Sequence, residues 1–457
     1  MQKGLLVGAG FSYDFGMPLG KELTEVFLGL FNKRNVRSLA VVLSKNSPYS
    51  EDRPINKEAI LEGLGLLLEY KKRNESNYEE LFSELQKLGD SSSKNQSDKD
   101  SYHYLFSIFY DIVHSILSIY QDESYSVLYA RNKQWHSKLS SLLSDKETWI
   151  FTLNHDLYME CLAVDLNIPI TYGDIKNISF PVSNQKMNDV INFTYSEGAN
   201  LDKDTLGFHK NEYGINLIKL HGGLSELDYK DKSIICNQSL KKNNSSELIH
   251  DFRRIENMAY FHHGKKIPSG KSRVITNSEG QLDIISKSML TGGKKYSKTT
   301  NTKKGEEKLK IFDDVLDEID ELTIIGYGFG DPHINNRISN AMVRNKNLKL
   351  RIVNPTSVSN PKFLEQFDYN LRLQGALCRV AEWMEYSDTE KWDSDQINAL
   401  KENEKYRLDI KKRVETVLRS IYGQEGIQKK KSKYFSLQWL LVIFFILIGV
   451  LLYFYFL

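Results

Sequence analysis

Cysteine is scarce: the 457-residue chain holds three, Cys161, Cys236 and Cys378, and no two of them are spaced as Cys-x-x-Cys. That excludes a disulfide framework and a four-thiolate zinc ribbon, and it fits a reducing compartment. An excess of either charge is also missing. Sixty-one Lys plus Arg against 59 Asp plus Glu leave +2, so no global field draws the chain to a polyanion and no direct nucleic-acid partner is expected. At the N-terminus there is no basic stretch, apolar stretch and cleavage site of a secretory leader; Gly4-Leu5-Leu6-Val7 reads as a strand almost at once. The rest is ordinary globular composition, 40% hydrophobic, 11% aromatic and 26% charged, with length for two or three domain-sized units.

One long apolar run stands out. Residues 435–457 carry no charge, and 17 of the 23 are Leu, Ile, Val or Phe. As a helix at ~1.5 Å per residue they would extend about 35 Å, enough to cross a bilayer core. Trp439, Tyr453 and Tyr455 suit interfacial positions, and Lys429, Lys430, Lys431 and Lys433 just before the run favour a cytoplasmic flank. The expectation is a membrane protein with a single-pass C-terminal anchor and a cytoplasmic catalytic part.

Along the rest of the chain, a strand at 3–8 runs into Gly8-Ala9-Gly10-Phe11-Ser12, then Gly16-Met17-Pro18 and a helical pattern from Leu19 to Phe31. Residues 56–87 and 102–144 have apolar residues at helical spacing, although Gly63 and Gly65 weaken the first pattern. Strand-like runs return at Thr148–Leu153, Ile215–Leu220, Ser272–Thr276, Leu322–Tyr327 and Leu348–Val353 with helical stretches between. This alternation predicts an α/β fold, a Rossmann-like open parallel sheet with a large helical insertion. The expected units are 1–31 with 145–385 as the ligand-binding domain, 32–144 as the insertion, 386–434 as a helical linker and 435–457 as the transmembrane helix. The lysine-rich stretch 292–310, which includes Lys308, reads as a solvated basic loop.

Five loop tips carry chemistry. The glycines of Gly8–Ser12 let backbone approach a ligand, and the helix beyond directs free N–H groups at phosphate, although a plain turn looks similar. Thr152-Leu153-Asn154-His155-Asp156 follows a strand, where open α/β sheets hold ligands, and helix capping is the alternative for Asn154 and Asp156. Lys219-Leu220-His221-Gly222-Gly223 offers a histidine that titrates near neutrality as a general base. Ile324 to His333 and Arg351-Ile352-Val353-Asn354-Pro355 end two further strands. His103, His114, His136, His209, His250, His262 and His263 lack metal-ligand spacing and read as structural.

In order and spacing these pieces resemble the sirtuin-like family, over about 250 residues in segments. The form Tyr327-Gly328-Phe329-Gly330-Asp331, followed by Pro332 and His333, is similar to the bacterial branch that hydrolyses NAD in anti-phage defence, and the missing Cys-x-x-Cys sets the chain apart from zinc-ribbon deacetylases. The resemblance implies NAD as substrate and no metal, with Asn154, His221 and Asp156 catalytic. It implies NAD contacts from Gly8, Ala9, Gly10, Phe11, Ser12, Asp14, Pro18, Asn154, Asp156, Gly326, Tyr327, Gly328, Asp331 and Asn354. Gly328 stands where family members often carry serine, so a backbone N–H would serve the ribose there. A homo-oligomer and a phage-derived or partner-protein activator are further implied partners. Deacylation, ADP-ribosyl transfer and non-catalytic sensing of NAD or ADP-ribose are the competing activities.

Overall fold

The computed structural model describes residues 2–45, 54–73, 77–230, 233–267, 270–291, 306–356, 361–367 and 371–422. Seven strands form a wholly parallel sheet: β1 (Lys3–Val7), β2 (Glu147–Thr152), β3 (Ile170–Thr171), β6 (Gly214–Lys219), β13 (Glu321–Ile325), β14 (Lys349–Val353) and β15 (Leu373–Ala376). Their spatial order is β15-β14-β13-β1-β2-β6-β3. The chain builds outward from β1 through β2 and β6, then returns to the other side of β1 for β13, β14 and β15. That reversal opens a crevice at the carboxyl ends of the central strands.

Period-two alternation explains why both faces are covered. Leu5, Val7, Ile150 and Leu217 join the core on one face, whereas Leu6, Phe151, Ile218 and Ile324 join the core on the other. The helices are α1 (Gly20–Gly29), α2 (Lys33–Lys45), α3 (Lys57–Tyr70), α4 (Tyr78–Asp90), α5 (Gln96–Ser124), α6 (Ala130–Asn132), α7 (Tyr158–Asp165), α8 (Ser245–Asn257), α9 (Glu306–Leu316), α10 (Pro332–Arg344), α11 (Val380–Thr389) and α12 (Ser394–Tyr422). One layer combines α1 to α5, where Phe27 packs edge to face on Phe82 and Phe109 at 5.9 and 5.5 Å. The opposite layer contains α9 and α10, with Phe312 set against Phe151 at 4.7 Å.

Several expectations change in detail. α3 runs unbroken through Gly63 because a Cβ there would lie 2.6 Å from Leu105 of α5; the glycine permits close helix packing. Ser272–Thr276 is a strand, β11, yet it belongs to a second sheet. That sheet is antiparallel, with β4 (Lys176–Pro181), β5 (Val190–Glu197), β7 (Glu226–Tyr229), β8 (Ile234–Gln238), β11 (Ser272–Thr276) and β12 (Leu282–Lys287) in the order β11-β12-β7-β8-β5-β4. A short pair, β9 (Phe261–His262) with β10 (Lys265–Lys266), follows α8. Lys308 is not a solvated loop residue. It is buried in α9 and pairs with Glu226 at 2.6 Å. The stretch expected as a linker contains α12, whose Leu400, Ile410, Val414 and Leu418 are buried, the last three in the main core. Among the described residues no helix is long and apolar enough to cross a membrane. The span expected at 435–457 and the basic cluster before it lie outside the described residues.

Candidate active site

Register brings the loop tips to one height. Val7 stands level with Thr152 and Ile325, Thr152 with Lys219, and Ile325 with Val353. Five strands therefore deliver their following residues to the same edge. The loops after β1 and β13 are locked back to back: Gly8 N donates to Ile325 O and Gly10 N to Gly326 O, both at 2.9 Å. A Cβ on Gly10 would lie 2.7 Å from Gly326 Cα, and Gly326 itself holds a φ of 61°. Only glycine meets both demands. A single 3₁₀ turn, Tyr13–Phe15, intervenes before Gly16 and α1, so the helix does not start directly from the glycine loop.

Asn154 is fixed by its own amide. Nδ2 donates to Gly8 O at 3.0 Å and to Ser12 Oγ at 3.1 Å, while its backbone N–H reaches Thr152 Oγ1 at 3.0 Å. A carbonyl oxygen accepts only, which settles the amide's orientation. With both Nδ2 hydrogens committed, Oδ1 is the atom the side chain can offer a ligand. Asp156 is buried, and this desolvation pushes its carboxyl above the usual range against the pull of Lys219, the Tyr158 N–H and Ser12. Lys219 is itself held by Glu160 at 2.7 Å in a fully buried ion pair and donates to the Asp156 carbonyl.

His221 meets Asp331 through Nε2 and Oδ2 at 3.0 Å. Against an ionised carboxylate the proton resides on Nε2, leaving Nδ1 as the basic nitrogen of the neutral ring. Asp331 is positioned as the N-cap of α10, its Oδ1 accepting from His333 N at 2.9 Å. Tyr327 braces it from behind, accepting from Asp331 N at 3.0 Å.

These tips enclose a cleft of about 660 Å³. Of the expected site residues it is lined by Gly8, Ala9, Gly10, Asp14, Pro18, Asn154, Asp156, His221, Gly326, Tyr327, Gly328, Asp331 and Asn354. Phe11 and Ser12 do not line it. Phe11 is buried against Phe15 and His136, and Ser12 acts from beneath by holding Asn154 and Asp156. Sequence reasoning missed Tyr13, His155, Arg379 and Glu404, which also line the cleft. His155 sits inside the Asn154–Asp156 segment and donates through Nδ1 to Gly222 O at 3.1 Å. Arg379 precedes α11 just past β15, a strand-tip position that could have singled it out. It contacts Asp14 at 3.2 Å and Glu404 of α12. Arg407 stacks on the Tyr13 ring at 3.6 Å and donates to the carbonyls of Tyr13 and Met17. No local motif announces these last contacts. Among the described residues no group of His, Cys, Asp and Glu is arranged to hold a metal ion.

No protein-family model matches the sequence, and no curated protein matches it. Among solved structures the chain is similar to a Sir2 homologue mutant in complex with ADP-ribose, at 10% identity over 88% of this chain and 93% of that one, with a TM-score of 0.33. It is similar to a sirtuin studied for its substrate affinity, at 10% identity over 85% and 93%, TM-score 0.33, and to a Sir2 enzyme studied for mechanism and regulation, at 11% over 88% and 93%, TM-score 0.30. Scores this low carry no functional inference; the cleft does.

Proposed function

We propose that this chain hydrolyses NAD to nicotinamide and ADP-ribose. The observation that carries the reading is that Asn154, Asp156 and the His221–Asp331 pair line the same cleft as the glycine loop Gly8–Gly10. In this reading the diphosphate lies over the loop backbone and the nicotinamide ribose faces Asn154 and His221. As the bond from the ribose anomeric carbon to the nicotinamide nitrogen breaks, its electron pair neutralises the pyridinium and positive charge develops on the sugar. Asn154 Oδ1 and the Asp156 carboxylate would stabilise that charge. Water adds to the anomeric carbon, and His221 Nδ1 takes its proton, an assistance of roughly 10² to 10⁴ in rate. Asp331 stabilises the imidazolium so formed.

The same reading places the enzyme at a membrane through residues 435–457, with the cleft in the cytoplasm, as an effector that depletes NAD in antiviral defence. Self-association and a phage-derived or partner protein would switch it on, and confinement to a surface raises the local concentration for assembly. The test is chromatography of NAD after incubation with the full chain in detergent, with extract of phage-infected cells supplied as the source of activator. Equal amounts of nicotinamide and ADP-ribose are expected from the wild type and none from His221→Ala. Nicotinamide formed only with an acyl-lysine peptide, or label transferred from NAD to protein, would replace hydrolysis by deacylation or transfer. NAD bound without turnover would leave a sensor.

A further inference from the structure

The charges around the cleft are lopsided. Five carboxylates line it, those of Asp14, Glu79, Asp156, Asp331 and Glu404, against a single lysine or arginine, Arg379. Acidic side chains suit a sugar that becomes cationic; they oppose a diphosphate. Loop N–H groups offset part of that repulsion, yet a dianionic diphosphate in a carboxylate-lined cleft calls for a full positive charge. Arg379 is the only described lining residue that carries a permanent one. Its guanidinium is already engaged, with Asp14 at 3.2 Å and with Glu404.

We propose, resting on the NAD reading above, that Arg379 is the diphosphate-binding residue, that it exchanges Asp14 for phosphate when the nucleotide enters, and that Asp14 takes up a proton as its partner leaves. Asp14 is suited to this exchange. It is buried, its backbone carbonyl is held by Asn132 at the end of α6, and burial pushes its carboxyl up to about 6. The groups facing it are Arg379 from the head of α11 and Arg407 from α12, which both pull that value down, and Glu404 of α12, which raises it. Removing Arg379 to a phosphate deletes the largest downward pull. The Asp14 carboxyl then rises further, and near pH 7 the filled cleft binds a fraction of a proton that the empty cleft does not. Affinity therefore falls as pH rises from about 6.5 to 8, by at most about tenfold per unit.

Calorimetry on the full chain in detergent tests this, with ADP-ribose and with adenosine, which lacks phosphate, each in two buffers of different ionisation enthalpy at pH 7. The wild type should take up protons with ADP-ribose and not with adenosine. Arg379→Gln should weaken ADP-ribose roughly ten- to hundredfold, leave adenosine within twofold as the check on folding, and abolish the uptake. Asp14→Asn, which removes the charge that competes with phosphate for Arg379, should bind ADP-ribose more tightly and lose the uptake. Unchanged ADP-ribose affinity in Arg379→Gln, or uptake that persists in Asp14→Asn, overturns the exchange while the NAD reading stands. Failure of the wild type to bind ADP-ribose at all overturns both.

Discussion

Replacing Asn154 by alanine separates chemistry from stability. The substitution removes two donated hydrogen bonds, to Gly8 O and Ser12 Oγ at 3.0 and 3.1 Å. At ~0.5–1.5 kcal/mol net apiece that is about 1–3 kcal/mol; Gly8 O keeps the Phe11 N–H at 2.9 Å, so no buried carbonyl is orphaned. Unfolding entropy of roughly 2.1 cal/mol/K per residue over about 400 residues makes each kcal/mol worth only about 1 °C. The midpoint should therefore drop by about 1–4 °C. Turnover should fall far more, by about 10² to 10³, since in the proposed mechanism Oδ1 is the dipole set against the developing sugar cation. Nicotinamide release followed by chromatography, beside a thermal melt of the same samples, gives both numbers. Asn154→Asp should melt lower than the alanine variant, since a buried carboxylate then faces the Gly8 carbonyl. A well-folded Asn154→Ala that turns over NAD within threefold of the wild type would refute the assignment of this amide.

Two further perturbations test the scaffold. Gly10→Ala sets a Cβ 2.7 Å from the Gly326 backbone; neither loop can yield cheaply, so we expect a loss of about 1–3 kcal/mol in urea unfolding and of nucleotide binding together, and a neutral substitution would show that the loops are not locked. His136 is buried and its imidazole is pushed down to about 4, desolvation outweighing the bond to Asn132 O. Because the unfolded chain takes up that proton near pH 6.5 and the folded one only near 4, this residue costs stability progressively as pH falls through that window, by up to about 1.4 kcal/mol per unit. His136→Gln should flatten the decline in urea midpoint between pH 6.5 and 4.5 relative to the wild type, and parallel curves would contradict the argument.

Five of the seven parallel strands were legible as short apolar runs, Leu5-Leu6-Val7 and Ile324-Ile325 among them, each followed within three residues by glycine or asparagine; the two-residue β3 and the Leu-Gln-Gly-Ala of β15 carry no such signal and were not foreseen. Those same endings disclosed most of the cleft. The antiparallel sheet escaped notice although β5 alternates cleanly, Ile191 and Phe193 inward and Val190 and Asn192 outward. Its six strands are scattered between Lys176 and Lys287 with α8 among them, and a half-exposed strand broken by polar residues has no signal beyond its own few positions. Lys308 misled for a related reason: composition reports a charge and says nothing of a buried carboxylate such as Glu226 waiting in a distant strand. Arg407 was invisible as a site residue because its partner, Tyr13, lies 394 positions away in the chain, and for Arg379, 365 positions from Asp14, the one available signal was its place just past a strand tip. Phe11 and Ser12 stood in the right segment, but a backbone turn decides which of its side chains face the ligand, and here both turn inward.

That Arg407 clasps Tyr13 and Met17 also orders events during synthesis. β1 and its glycine loop are made before the rest of both sheets, whereas Arg407, which braces them, follows 394 positions after Tyr13, beyond every described strand. A chain cut before Arg379 lacks part of the cleft wall as well as the helix that holds Tyr13 and Met17.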